Sequence, residues 1–162
     1  MHWSECDDEM KMGDFLDQIC DESKLRRFAL ELACTVVETL IDQRLVDAVD
    51  ATEDFLNGAI GESELKQFHS KAEAAVDEIE KREMGDFNNG IEDTQMEYEK
   101  ALVVLYAATP PGSRYYDSSL EAARDSVLHA AHYCCQIRGV DDLIQQVDLL
   151  EVAELPTVVR IP

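Results

Sequence analysis

The sequence predicts an all-α protein, a single domain built as a bundle of six or seven helices with an extended C-terminal tail. Three observations lead to this prediction. Apolar residues recur at the three- and four-residue spacing of helix faces. The seven glycines and four prolines lie nearly all between these periodic segments, where loops join helices. A chain of 162 residues, 46% of them apolar, has the size and composition of one domain with a core.

We therefore treat residues 1–162 as one helical domain, with residues 1–10 expected to be mobile. The segment SKLRRFALELACTVVETLID predicts the central helix of the bundle. Its main apolar stripe comprises Leu25, Phe28, Leu32, Val36 and Leu40. Ala29, Ala33, Val37 and Ile41 widen the stripe, so we expect other helices on nearly every side.

Two further helices and two loops follow in order. RLVDAVDATEDFLNG predicts a helix that closes on Gly58, because glycine is the usual residue just after a helix end. ESELKQFHSKAEAAVDEIEKRE predicts the next helix, whose buried stripe comprises Leu65, Phe68, Ala72, Val76 and Ile79. The Gly and Asn content of GDFNNGIED predicts a loop. The helix around TQMEYEKALVVLYAA should stop before Pro110.

A Ser-x-x-Glu capping box at Ser118 and Glu121 predicts a helix that runs to Gly139. At 100° per residue its core face comprises Leu120, Ala123, Val127, Ala130, Ala131 and Cys134, with Leu128 and Ile137 at the margins. Glu121, Asp125, His129 and His132 fall on the opposite face, which should meet water. An i, i+4 contact is expected between Asp125 and His129. VDDLIQQVDLLEVAEL predicts a last helix, and residues 156–162 an extended tail.

The order of these segments resembles a helical family found mainly in planctomycete bacteria. Members of that family pair a short MLEFL-like helix with a KLRLFACACCR helix, followed by VEVAERYADG and EELAAARAAA helices and a Q-x-x-LLR close. The corresponding segments here are Phe15–Leu16, Lys24–Cys34, Val46–Gly58, Glu64–Ala75 and QQVDLLEVAELP. The resemblance implies a helical fold and a bacterial cytoplasmic setting. It implies no catalytic residue, and this chain keeps only Cys34 of the cysteines on the central helix.

The net charge of −21 limits the classes of partner that the protein can bind. A nucleic-acid backbone would be repelled, so we expect no direct nucleic-acid binding. No apolar run approaches the roughly 18 residues of a membrane span, and the acidic start lacks the regions of a signal peptide. The five cysteines are an odd number, which favours reduced thiols over a disulfide framework. These observations predict a cytoplasmic protein that does not bind membranes.

The heptapeptide HAAHYCC, residues 129–135, is the one segment rich in metal-ligand residue types. His129, His132 and Cys135 form a row at i, i+3, i+6, whereas Cys134 points into the core. Such a row supplies too few ligands for a closed zinc site, and neither C-x-x-C nor H-E-x-x-H occurs. We therefore expect no metal, cofactor or catalytic residue. A metal-assisted enzyme that uses His129 and His132 is kept as an alternative.

The function predicted from the sequence is a non-catalytic protein-binding or accessory subunit of a bacterial cytoplasmic assembly. Its partner would be another protein with a basic surface, because the surface of this chain is acidic. Arg114, Tyr115 and Tyr116, in the loop at 109–117, are candidate anchor residues. The other alternative is a nucleic-acid mimic that inhibits a DNA-processing or defence enzyme. The eight acidic residues within 1–22, together with a second set at Asp42, Asp47, Asp50, Glu53 and Asp54, would then supply phosphate-like charges.

Overall fold

A computed structural model describes residues 9–88, 95–112 and 116–138 of the chain. These residues form six α-helices and contain no strand, which confirms the all-α prediction. The helices are α1 (Glu9–Asp17), α2 (Glu22–Val37), α3 (Gln43–Leu56), α4 (Glu62–Asn88), α5 (Gln95–Ala107) and α6 (Ser119–Arg138). The predicted last helix, the tail at 156–162 and residues 1–8 lie outside the described ranges. Among the helices described, none is both long and apolar enough to cross a bilayer.

The helices from α2 to α5 run alternately up and down, as short connections require. Side-chain contacts fix the directions. Arg44 at the start of α3 reaches Glu78 in the second half of α4, and Arg82 near the end of α4 reaches Glu97 in the first turn of α5. Helix α6 runs parallel to α2, since its two ends contact the corresponding ends of α2. These contacts are Ser119 with Glu22 and Cys134 with Leu32.

Helix α2 is the central element, as predicted, and packs against α3, α5 and α6. Its stripe from Leu25 to Val36 is buried. Ile41 was also predicted to belong to this buried stripe, but it is 86% exposed. Helix α2 ends at Val37, and the next amides bond three residues back, to Val36 and Val37. The chain has therefore left the helical path before it reaches Ile41.

Helix α3 ends as the sequence predicts, at a glycine in the left-handed region. Gly58 has a φ of 76°, which is a conformation that side-chain-bearing residues rarely adopt. The amide of Ala59 donates to the carbonyl of Asp54 at 2.8 Å, and the amide of Gly58 donates to that of Phe55 at 3.1 Å. This pair of bonds is a Schellman motif, which satisfies two terminal carbonyls of the helix.

Helix α4 is longer than predicted, because it continues through Gly85 to Asn88. The loop prediction for GDFNNGIED is therefore wrong for residues 85–88, while residues 89–93 lie outside the described ranges. Just before this extension, two residues of α4 contact the first turn of α5. Arg82 pairs with Glu97 at 2.8 Å, and the carboxylate of Glu83 accepts from the amide of Tyr98 at 3.0 Å. We attribute the extra turn to these contacts, which offset the cost of roughly 1 kcal/mol for a glycine within a helix.

Helix α6 confirms both its predicted start and its predicted core face. The hydroxyl of Ser118 accepts from the amide of Glu121 at 3.1 Å. The carboxylate of Glu121 accepts from the amide of Asp117 at 3.2 Å, one residue before the position that a standard capping box uses. The fully buried residues of the face are Ala123, Val127, Ala130, Ala131 and Cys134. Helix α6 therefore packs against α2 and α5 through this face, and α1 packs against its first half.

Candidate functional site

An open cleft of about 440 Å³ lies between α1 and α6. Its apolar lining comes from Leu16, which is buried, and from Leu128, which is half-buried. Its polar lining includes three carboxylates, those of Asp17, Glu121 and Asp125. We call this feature the α1–α6 cleft. A hydrocarbon floor with carboxylates around it suits a side chain that carries a cation on an aliphatic stem.

Arg124 also lines the cleft, but its charge is directed to the backbone of α1 and the following turn. Its guanidinium donates to the carbonyls of Asp17 and Ile19, each at 3.0 Å. These carbonyls lie at the end of α1 and just after it, where a cation is favourable. Within the described residues Arg124 forms no ion pair with a carboxylate. Arg124 therefore does not neutralise the carboxylates of the cleft.

Asp125 connects the cleft to a group of side chains above it. The hydroxyl of Tyr116 donates a hydrogen bond to the Asp125 carboxylate. Partial burial, followed by this bond and the charge of Asp125, raises the pKa of Tyr116. Nδ1 of His129 lies 3.2 Å from Oδ2 of Asp125, which confirms the predicted i, i+4 contact. Tyr116, a candidate anchor residue from the sequence, is consequently half-buried and held against α6.

A row of aromatic rings continues from His129 along the face shared by α5 and α6. His129 stacks on Tyr106 with centroids 4.4 Å apart, and Tyr106 stacks on Tyr133 at 6.1 Å. His132 meets Tyr133 edge-on at 5.1 Å. We call these four residues the aromatic row. The prediction that His129 and His132 face water is only partly right, because both are half-buried in this row.

Sequence reasoning missed Tyr106 and Tyr133 as members of this site. Tyr133 lies within HAAHYCC, so the heptapeptide did contain a signal for it. Tyr106 belongs to α5, and periodicity along one helix does not reveal which residues of a neighbouring helix lie beside it. Only the packing of α5 on α6 brings the ring of Tyr106 over that of His129.

Metal-ligating side chains do not gather in the described part of the chain. No group of three or more His, Cys, Asp or Glu side chains there is arranged to hold a metal ion. Cys134 is fully buried in the core, and its thiol lies 3.8 Å from the carbonyl of Leu32. The side chain of Cys135 lies outside the described residues, as do Arg114 and Tyr115.

The sequence singled out three aspartates, one that precedes α3 and two within it, and their surroundings differ. Asp42 caps the helix, accepts from the amide of Arg44 at 2.9 Å and pairs with its guanidinium at 2.7 Å. The hydrogen bond with Arg44 lowers the pKa of Asp42. Asp47 accepts from Gln43 at 2.8 Å, and Asp50 is exposed. Part of this acidic set is thus engaged in holding its own helix.

No family model, no curated protein and no solved structure matches this chain. The resemblance to the planctomycete helical family therefore stays a prediction.

Cys34 lies beside the exposed face of α3, and its surroundings make it a poor nucleophile. Partial desolvation, followed by the negative charges of Glu31, Glu53 and Asp50, raises the pKa of its thiol to about 11. At pH 8 this rise from the ordinary value of 9.0 lowers the thiolate fraction roughly 100-fold. A thiolate of higher pKa is intrinsically more nucleophilic, which offsets roughly six- to ten-fold of that loss. We expect alkylation of Cys34 in the folded protein to be roughly ten-fold slower than in the unfolded chain.

Site-resolved mass spectrometry of iodoacetamide-treated protein, folded and in urea, measures this ratio. Replacing Asp50 with Asn and Glu53 with Gln together should raise the folded rate several-fold, because two of the three charges disappear. Equal alkylation rates of Cys34 in the folded and unfolded states would contradict the prediction.

Proposed function

We propose that this protein is a non-catalytic protein-binding subunit that takes up a basic side chain of its partner in the α1–α6 cleft. The observation that carries the proposal is the arrangement of three carboxylates around an apolar floor, with Arg124 committed to backbone carbonyls. An aliphatic stem would lie on the half-buried Leu128, above the buried Leu16, and its cation would meet carboxylate oxygens. The bacterial cytoplasm is the proposed setting, as the sequence suggests.

The aromatic row supports the same interpretation. Tyrosine is enriched among residues that dominate binding energy at protein interfaces, because it presents a large rigid surface with a polar edge. The row adjoins the cleft through Asp125, which contacts both Tyr116 and His129. A partner that places a basic residue in the cleft would therefore find an aromatic surface beside it. The net charge of −21 would speed its approach at low salt.

The alternative of a nucleic-acid mimic draws on acidic residues within 1–22 and extends the binding surface to a second acidic set at α3. Asp42 is paired with Arg44 there, which lowers its capacity to attract a second cation. The cleft carboxylates have no such arginine partner among the described residues. This difference favours the cleft, and the following experiment separates the two surfaces.

The test compares two variants with the same change in net charge. One replaces Asp17 with Asn and Glu121 with Gln, in the cleft. The other replaces Asp47 and Asp50 with Asn, on α3. Binding of an acetylated, amidated Lys-Leu-Lys-Leu-Lys peptide is measured by calorimetry at 50 and 300 mM salt. We expect the cleft variant to bind roughly ten-fold more weakly than the native protein, since two exposed charge contacts are lost. The α3 variant should stay within about two-fold.

Equal losses in both variants would mean that the peptide responds only to total charge, and the cleft would then have no special role. A loss confined to the α3 variant would favour the mimic. Affinity for the native protein should fall at 300 mM salt, because exposed charges are screened. Circular dichroism of each variant shows whether the helices are intact.

A further inference from the structure

One carboxylate of the α1–α6 cleft, that of Asp125, is in contact with an ionisable ring. Oδ2 of Asp125 lies 3.2 Å from Nδ1 of His129, and the same ring nitrogen lies 2.9 Å from the backbone carbonyl of Asp125. Because a carbonyl oxygen only accepts, Nδ1 must carry the proton of that contact. In the neutral ring Nε2 is then the nitrogen that can take a second proton.

The side chain of His129 is 37% exposed, so its ring can exchange protons with solvent. A histidine ordinarily changes its charge between about pH 5 and 8. Protonation of Nε2 would place a positive charge beside the Asp125 carboxylate and convert a hydrogen bond of the neutral ring into an ion pair. That carboxylate would then attract a second cation less strongly.

Tyrosines face the His129 ring from two neighbouring elements. Tyr106 of α5 stacks on it at 4.4 Å, and residues 102–109 around Tyr106 include no charged side chain. Tyr116, in the segment before α6, donates to the same Asp125 carboxylate. Partial burial raises the pKa of both tyrosines, so their hydroxyls stay neutral between about pH 5 and 8.

The cleft and the aromatic row supply the other ionisable groups near this contact. They are Asp17 of α1 and Glu121, Arg124 and His132 of α6. Helix α2 packs against the buried face of α6 that includes Cys134. Within the described ranges, Asp125 is the carboxylate at ion-pair distance from His129. A proton on His129 would therefore act on the cleft chiefly through Asp125.

We propose that His129 regulates the α1–α6 cleft through Asp125, so that uptake of a proton by the ring weakens the binding of a basic side chain there. The regulation rests on the proposed function, because it concerns the same cleft. By thermodynamic linkage the effect is reciprocal, and a bound cation disfavours the proton on His129 to the same degree. A partner is therefore held more tightly at pH 7.5 than at pH 5.5.

Calorimetry with the acetylated, amidated Lys-Leu-Lys-Leu-Lys peptide, whose ammonium groups stay charged, tests the coupling. We expect roughly three- to five-fold weaker binding to the native protein at pH 5.5 than at pH 7.5, the size of one partly exposed charge contact. His129→Gln can still donate to Asp125 but takes up no proton, so its affinity should be nearly equal at both pH values. His69→Gln should behave like the native protein, because His69 lies on α4, which packs against α3 and α5.

A second variant and a proton count extend the test. Asp125→Asn should bind the peptide more weakly at pH 7.5 and lose most of the pH dependence, because the carboxylate that His129 acts through is gone. At pH 6.5 the native protein should release a fraction of a proton for each peptide bound, whereas His129→Gln should release close to none. Binding heats in two buffers of different ionisation enthalpy measure this release. Circular dichroism at each pH checks that the helices are intact.

Two outcomes would overturn the regulation and leave the proposed function standing. One is binding of the native protein that does not change with pH. The other is the same loss at pH 5.5 in the native protein and in His129→Gln, because the pH dependence would then come from other groups. Absence of peptide binding at both pH values would contradict the proposed function itself, and the regulation with it.

Discussion

Replacement of Phe28 by alanine is expected to lower the free energy of unfolding by about 3–5 kcal/mol. Phe28 is fully buried in the main apolar cluster, on the helix that packs against α3, α5 and α6. Removing its ring takes away a large apolar surface and leaves a cavity that three packed helices cannot easily close. Domains of this size have a total stability of only about 5–15 kcal/mol, so a large share of it would be lost.

Urea denaturation followed by circular dichroism measures this change. Phe68→Ala is the matched control, since it deletes the same side chain from a half-buried position on α4. We expect about 1 kcal/mol or less for the control, because less surface is returned to water and no closed cavity forms. Similar losses for the two variants would show that Phe28 is not enclosed as described.

Replacement of Arg26 by methionine is expected to cost about 2–3 kcal/mol at pH 7. The change removes the donor to Glu22 and the donor to the carbonyl of Thr109, which joins the start of α2 to the segment after α5. Breaking a fully buried ion pair costs more, but the side chain of Glu22 is 33% exposed and water can partly replace the lost partner. Nη2 of Arg26 is buried without an acceptor in the described structure, and its removal offsets part of the loss.

The loss of stability in Arg26→Met should depend on pH. The folded-state pKa of Glu22 is lowered, so its contribution to stability is present above its unfolded pKa and is lost as pH falls through the folded pKa. The difference between native protein and Arg26→Met should therefore be largest above about pH 5 and smaller near pH 3. Arg82→Met is the control, because Arg82 is 53% exposed in its pair with Glu97 and should contribute less than about 1 kcal/mol. A loss for Arg26→Met that does not change with pH would exclude the pair with Glu22 as its cause.

Several parts of the fold could be predicted because local chemistry decides them. The spacing of apolar residues predicted α2 and the core face of α6, since a helix with that spacing must bury one side. Gly58 predicted the end of α3, because glycine adopts the left-handed conformation without strain. Ser118 and Glu121 predicted the start of α6 through their capping capacity.

Other parts could not be predicted, because they depend on contacts between distant segments. Gly85 and the asparagines after it predicted a loop, yet α4 continues to Asn88, where contacts of Arg82 and Glu83 with α5 adjoin it. The stripe of α2 included Ile41, but the helix stops before that residue is reached.

The sequence by itself determined the fold class, the central position of α2 and the inward face of α6, because helical periodicity is a property of neighbouring residues. Only the tertiary structure decided which polar residues meet. Asp125 and His129 were paired by their i, i+4 spacing, but Tyr106 was brought over His129 by the packing of α5 on α6. Asp17 and Glu121 are separated by about a hundred residues, and they share a cleft because α1 packs across α6. Such contacts between distant residues depend on how whole helices pack, and no single stretch of the chain encodes them.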